Sequence, residues 1–401
     1  MFRHGGAIPE LDGLRGIAIL LVLARHAAGP IAGAQESIFK IGSWDIATPM
    51  LNGWIGVDLF FVLSGFLISH HLLKHWPNQL SGGFLFRYWS KRIFRTFPAY
   101  FAVLFLIAFA GFPYYSFQTA DFSSELGWHI VFMQDYLGSN FMPAFWSLGV
   151  EEKFYLLCPF AMLFLLKSPN EATRYRRLAL LVLFPLFLRA VTLIARGPLI
   201  NSYNEFFWTV RTPAHLALDG LWMGIFCAML FHSRRDLLRH SRKHRNILLG
   251  AGIALASILL LGAPIFEAGW WTVIFVLFLI PLAFAAIVFA VINGETFATR
   301  FLRSLLLRFF SNISYSLYLT HMLCIPAALH LTQLVPGFQS APALARLLTF
   351  VPVFLVLSIG TALLLHYLVE KPFLLLKSRI KLEPATSPMP VGSPIGVSIR
   401  Q

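Results

Sequence analysis

The chain has 401 residues, of which 57% are hydrophobic and 12% charged, and its formal net charge is +14. An average soluble protein carries about twice that charged fraction, so a soluble single domain is excluded. A disordered chain is excluded as well, and nucleic-acid binding would need a basic surface on a soluble fold.

What remains is an integral membrane protein. At about 20 residues per helical span, the length accommodates roughly ten spans and their loops. The apolar runs fall at about 14–31, 52–73, 97–112, 146–166, 178–195, 214–232, 246–263, 270–292, 309–332 and 345–369. Each is expected to be helical, because lipid offers an isolated backbone no other partner for its polar groups. With the N-terminus placed in the cytoplasm, the inner segments collect Arg87, Lys91, Arg92 and Arg95, then the basic run around Arg234–Arg245, then Arg300, Arg303 and Arg308. The outer loops hold only Lys40, Arg196, Arg211 and the borderline Arg346. This asymmetry is the positive-inside rule, and it accounts for the basic excess without nucleic acid. The expected fold class is therefore all-α: a polytopic membrane helix bundle of about ten transmembrane helices with both termini cytoplasmic. Residues 1–382 would form one membrane domain, and the Pro- and Ser-rich 383–401 a disordered tail. Ala32-Gly33-Ala34 resembles a signal-peptide cleavage site, but Asp12, Arg15, Arg25 and His26 interrupt the stretch before it. Cys158, Cys227 and Cys324 lie singly in apolar runs, so neither a disulfide framework nor a metal site is expected.

Charged side chains at membrane depth are costly and mark function. Arg15 and His26 share one face of the first span, eleven residues and roughly 16 Å apart along the axis. Asp12, three residues before Arg15, is placed to pair with it. The second span reads Gly53-Trp54-Ile55-Gly56-Val57-Asp58 and continues through Ser64-Gly65. Asp58 falls at a depth similar to His26, where a carboxylate can orient an imidazole. The small residues Gly53, Gly56, Ser64 and Gly65 suit close helix approach. In the next inner loop, Arg87, Lys91 and Arg95 would line one face of a helix with Arg92 beside them. Such a cluster binds the phosphates of a nucleotide-like donor, or serves as ordinary positive-inside anchoring. No Lys or Arg occurs from Thr96 to Glu152. The long outer loop in that stretch, about 113–145, offers Tyr114, Tyr115, Tyr136, Asp121 and Asp135 either to a polar substrate or to an interfacial helix. Span four opens with Trp146-Ser147 and carries Glu151 and Glu152, one expected to face the bundle and the other to pair with Lys153 or solvent. Span nine places Tyr318 and His321 on one side of a helix. No G-x-S-x-G elbow is present, which leaves a nucleophilic-serine hydrolase unsupported.

These residues carry a resemblance. From about Ile8 to Phe373 the chain resembles the membrane acyltransferase-3 family of integral-membrane O-acyltransferases. The matching motifs are the Arg15–His26 pair, the block Gly56 to Phe66, Arg92 with Arg95, Trp146 to Tyr155, Ser314 to His321, and Glu370 to Phe373. The resemblance implies an acyl-CoA donor in the cytoplasm, usually acetyl-CoA, used as a substrate and not bound permanently. It implies a hydroxyl acceptor at the outer face, usually a glycan or a lipid-linked sugar. Some members carry a further C-terminal hydrolase-like domain. The tail here is too short for one, so transfer is expected to be completed by the membrane domain or by a periplasmic partner protein.

On that basis Arg15, Arg92 and Arg95 are expected to hold the donor's phosphates. His26 is expected to act as general base or as a brief acyl carrier, with Asp58 or Glu151 orienting it or balancing its charge. Tyr318 and His321 would line the same cavity, and Ser64, Trp146 and Glu152 would contact substrate. The expected setting is a bacterial inner membrane, spanned many times. The rival reading from the same buried charges is a transporter or flippase of a glycan or small metabolite.

Overall fold

The computed structural model describes residues 8–32, 37–42, 44–77, 79–116, 119, 121–168, 170–196, 203–234, 238, 240–262 and 270–380. The tail expected from 383 lies outside the described residues, as do Gly33 and Ala34 of the cleavage-like run.

The fold is a bundle of helices. Among the described residues, seven helices are long and apolar enough to cross a membrane: Pro9–Ala32, Ala47–Lys74, Gly82–Phe109, Glu171–Arg196, Arg242–Leu261, Thr272–Ile292 and Ala343–Arg379. The chain is a multi-pass membrane protein. The three other segments read as spans are also helical, over Trp146–Leu166, Asp219–Ser233 and Leu305–Gln333. Each is short or polar for a reason. Trp146–Leu166 carries Glu151, Glu152 and Lys153 within it. Asp219–Ser233 has only 15 residues. Leu305–Gln333 carries a run of hydroxyls that ends at His321. Two of these three helices, Trp146–Leu166 and Leu305–Gln333, are motif-bearing ones.

Several helices position the site. Helix α1 (Pro9–Ala32) packs against the later helix Leu305–Gln333. Helix α2 (Ala47–Leu51) and a 3-10 turn lead into α3 (Gly56–Lys74). The apolar stretch of that combined span is 78% buried, against 17% for Arg242–Leu261. The first is therefore central, and the second offers most of its surface to lipid. Helix α3 lies along Asp219–Ser233, and glycine permits the close approach expected from the sequence. A methyl group at Gly65 would collide with the carbonyl of Leu221, and one at Gly56 with that of Ala18 on α1.

Two features differ from the expectation. The basic segment 87–95 is helical, as its spacing allowed, but it is continuous with the following span and not a separate loop helix. Ser81 caps the N-terminus of α4 (Gly82–Phe105) by accepting from the Phe84 N–H at 3.2 Å. That helix runs unbroken from the arginines into the third span, so the cations are held rigidly. The connection after α1 contains a short antiparallel pair, β1 (Lys40–Ile41) and β2 (Trp44–Asp45), with Lys40 opposite Asp45 and Ile41 opposite Trp44. The Asp45 carboxylate organises it, accepting from the Ala47 N–H at 2.7 Å and the Ser37 hydroxyl at 2.6 Å.

The long loop 113–145 folds into α5 (Phe122–Ile130), α6 (Gln134–Leu137) and a buried polar knot. Glu125 accepts from Thr119 at 2.5 Å, Ser139 at 2.7 Å and the Phe141 N–H at 2.9 Å. His129 Nε2 lies 3.0 Å from Ser139 Oγ. Asp135 takes Lys153 Nζ at 2.6 Å, so Lys153 pairs there and not with Glu152. Of the loop residues offered to a substrate by the sequence, Tyr115 bonds within the loop to Phe141 O, while Asp135 and Tyr136 tie it to Lys153 and His215.

Candidate active site

His26 and His321 meet between α1 and the helix Leu305–Gln333. His321 sits in the helix Leu305–Gln333, fully buried, and its Nε2 is 3.2 Å from His26 Nδ1. The neighbouring carbonyls fix the protons. His321 Nδ1 lies 2.8 Å from Tyr318 O and 3.1 Å from Leu317 O. Carbonyls only accept, so Nδ1 of His321 carries its hydrogen and its Nε2 is a bare acceptor. His26 Nδ1 faces that acceptor and also Val22 O at 2.9 Å, so it too carries the hydrogen. The lone pair of His26 is thereby left on Nε2, which has no hydrogen-bond partner among the described residues.

His26 lines a cavity of about 380 Å³ together with Trp54, Trp146, Arg211 and Tyr318. That volume falls within the about 300–1,000 Å³ of small-ligand sites. Asp58 was expected to orient His26, and it does not. Its carboxylate takes Arg211 in a two-point pair, 2.6 Å from Nη2 and 3.1 Å from Nη1, with both side chains buried. Arg211 is also flanked by the rings of Trp54 at 4.9 Å and Trp146 at 5.0 Å. Read from the sequence as a topological charge of an outer loop, it is instead a wall of the cavity. The signal for it was its rarity, as one of the few cations on that side.

A second, narrower cavity of about 130 Å³ is lined by Arg15, Arg92, Arg95, Ser64, Glu151 and Tyr155, among others. The three arginines expected to act together are therefore brought together, from α1 and α4. Arg15 keeps its local ion pair with Asp12 at 3.6 Å. Glu151 does not touch His26; it accepts from Ser64 Oγ at 2.8 Å and Tyr155 OH at 2.7 Å. Glu152 lines neither cavity, contrary to its expected substrate contact. Arg95 is tied to Glu370 at 2.7 Å. The same buried carboxylate accepts from Ser316 Oγ at 2.7 Å and meets His366 Nδ1 at 2.9 Å. Three sequence motifs, far apart in the chain, converge on this one carboxylate.

Val57 and Tyr318 line both cavities. The Tyr318 hydroxyl donates to Ala144 O at 2.6 Å and receives Ser147 Oγ at 2.6 Å. A tethered phenol thus stands where the arginine-lined slot meets the His26 chamber.

A family model described as "Acyltransferase domain" matches residues 8–367. The chain belongs to this acyltransferase family. Among similar proteins, peptidoglycan O-acetyltransferase OatA of Listeria monocytogenes is 31% identical over 173 residues, which is 40% of this chain and 25% of that protein. A Staphylococcus aureus protein provisionally named an O-acetyltransferase is 26% identical over 335 residues, 79% of this chain and 50% of the relative. The chain thus spans half or less of the length of these curated relatives. No solved structure matches it.

In this member of the acyltransferase family, then, the motif residues divide between two chambers. Arg15, Arg92, Arg95, Ser64 and Glu151 line the narrow slot; His26 and Trp146 line the wide one; Tyr318 borders both. His321 stands behind His26 and reaches the chamber through it. Among the described residues, no group of three or more His, Cys, Asp or Glu side chains is arranged to hold a metal ion.

Proposed function

We propose that this protein is an O-acyltransferase of a bacterial inner membrane. It moves an acyl group, acetyl in the simplest case, from cytoplasmic acyl-CoA to a hydroxyl of a glycan or lipid-linked sugar at the outer face. The observation that carries this reading is the junction of the two cavities at Val57 and Tyr318. An arginine-lined slot on one side meets a chamber holding a bare imidazole nitrogen on the other. The names of the relatives, O-acetyltransferases, agree with it.

The residues present fit an acyl-CoA donor. The slot is narrower than the usual small-ligand site, so it suits the acyl-bearing arm, with the phosphates at its cationic mouth. Neither Arg15 nor Arg92 is ion-paired to a buried carboxylate among the described residues, and the buried Arg92 Nε has no hydrogen-bond partner among them. Arginine suits phosphate oxygens by its fork of donors.

In the wide chamber, His26 Nε2 takes the proton from the acceptor hydroxyl as its oxygen attacks the thioester carbonyl. A C–O bond forms, the C–S bond breaks, and the leaving CoA sulfur receives a proton in turn. His321 holds the His26 ring and its tautomer through this exchange. Passage of the acyl group first to Nε2 and then to the acceptor uses the same nitrogen. A periplasmic partner protein would take part in delivery to the acceptor.

Acyl-CoA consumption by membranes containing the protein tests the reading. Wild-type membranes should release CoA from acetyl-CoA, and Arg92→Ala and Arg95→Ala should abolish the release. CoA release equal to that of membranes lacking the protein, with glycan transport intact, would establish the transporter instead.

A further inference from the structure

Arg25, next to His26 on α1, lines the wide chamber, and the proposed chemistry gives it no task. Its guanidinium lies 5.3 Å from the centre of the Tyr203 ring. That contact occupies a face of the guanidinium and leaves the N–H edge available. No ion pair joins Arg25 to a carboxylate of the described residues. The other cation of the chamber, Arg211, is already neutralised by Asp58 at 2.6 Å. Among the described residues, the basic side chains lining the chamber are Arg25, His26 and Arg211, and no Asp or Glu lines it, so with a neutral imidazole the described lining keeps one positive charge without an ion-paired carboxylate. A half-buried charge without a counter-ion at membrane depth is costly, and a two-pronged guanidinium is the donor best matched to a carboxylate or a phosphate.

We propose that the acceptor carries an anionic substituent, as a uronic acid or a glycosyl phosphate does, and that Arg25 binds it. The sugar would lie against Trp54 and Trp146, whose rings flank the chamber, with the amides of Asn140 and Asn204 available to its hydroxyls. Because Arg25 and His26 are consecutive, an anion held by the first brings a hydroxyl of the same or the adjoining sugar unit to the second. The two residues then have separate duties, selection for Arg25 and proton transfer for His26. This deepens the acyltransfer reading and rests on it for the identity of the ligand as an acceptor.

The test is equilibrium binding to the full-length protein in detergent, without any donor, using glucuronic acid, glucose 1-phosphate and glucose. At least one of the two anionic sugars should bind at least about tenfold more tightly than glucose, a difference of about 1.4 kcal/mol. The tighter of the two identifies the anion. Arg25→Gln should remove that preference and leave glucose binding unchanged, while Arg25→Lys should keep part of it. Equal affinity for all three sugars, absence of binding by both anions, or an undiminished preference in Arg25→Gln would overturn the proposal. Loss of glucose binding in Arg25→Gln, with the Arg25→Lys protein behaving identically, would also overturn it by showing a structural role. No acyl-CoA is present in these titrations, so their failure is distinct from failure of the CoA-release assay.

Discussion

His26 Nδ1 and His321 Nε2 lie 3.2 Å apart, and the carbonyls behind them leave only one arrangement of protons. His321 is thus a positioning residue: it presents the lone pair of His26 to the chamber without reaching the chamber itself. Replacing His321 by Ala should lower kcat by about 10–100-fold, the usual cost of losing the partner that orients a functional histidine, with KM for acyl-CoA little changed. His321→Gln, which can still accept from His26 Nδ1, should recover part of the rate. Steady-state CoA release by the two variants measures this, and equal loss of kcat in both would contradict it.

The Asp58–Arg211 pair is buried on both sides. Removing one partner strands a charge in a low-dielectric interior, which costs about 3–5 kcal/mol. Asp58→Asn and Arg211→Ala should each lower the thermal unfolding midpoint in detergent substantially. The double variant should lose much less than the sum of the two, because no unpaired charge remains. Additive losses would mean that the pair is not coupled.

Helices α1, α3 and Asp219–Ser233 approach at glycines, and Gly65 has the carbonyl of Leu221 where a methyl group would stand. Gly65→Ala should therefore destabilise the bundle by about 1–3 kcal/mol, the common cost of overpacking. Gly82→Ala, at the open start of α4 with nothing within 4 Å of a built Cβ, should be close to neutral. Comparison of the two midpoints checks the claim.

The knot in the 113–145 loop makes that loop acid-sensitive. Burial pushes the Glu125 carboxyl up, but hydrogen bonds from Thr119, Ser139 and the Phe141 N–H outweigh it and hold the group below the ordinary value. Burial lowers His129 from 6.5 to about 4. Both shifts have the same sign for stability. The unfolded chain protonates His129 below about 6.5, while the folded chain resists until about 4, so folding free energy is lost as pH falls through that window. The loss attributable to His129 is on the order of 3 kcal/mol. Wild-type thermal midpoints should fall across the window, and His129→Gln should show a shallower fall. Parallel pH profiles would contradict the assignment.

Much of this was legible in the sequence because each element obeys a local rule. The apolar runs set the helices, the basic residues marked Arg92 and Arg95, and the eleven-residue spacing put Arg15 and His26 on one face of α1. The partners of those residues were not legible, since they come from distant helices. Asp58 lies at the depth of His26, yet Arg211, 153 positions later in the chain, takes it. Glu151 is drawn to Ser64 and Tyr155, and the side chain that hydrogen-bonds His26 is the imidazole of His321. Depth along a helix is a local property; the direction a side chain faces depends on which neighbour packs there. The polar loop 113–145 misled for the same reason, because its carboxylates satisfy the loop's own backbone and Lys153.

The most direct measurement is O-acylation of the cell's surface glycans, read by mass spectrometry, in cells expressing wild-type protein or His26→Ala at equal membrane levels. A lost general base costs about 10²–10⁴-fold in rate, so the acyl groups should disappear from the His26→Ala sample while Arg92-dependent donor binding persists. Undiminished acylation at normal expression would contradict the assignment of His26 as the group that moves the proton.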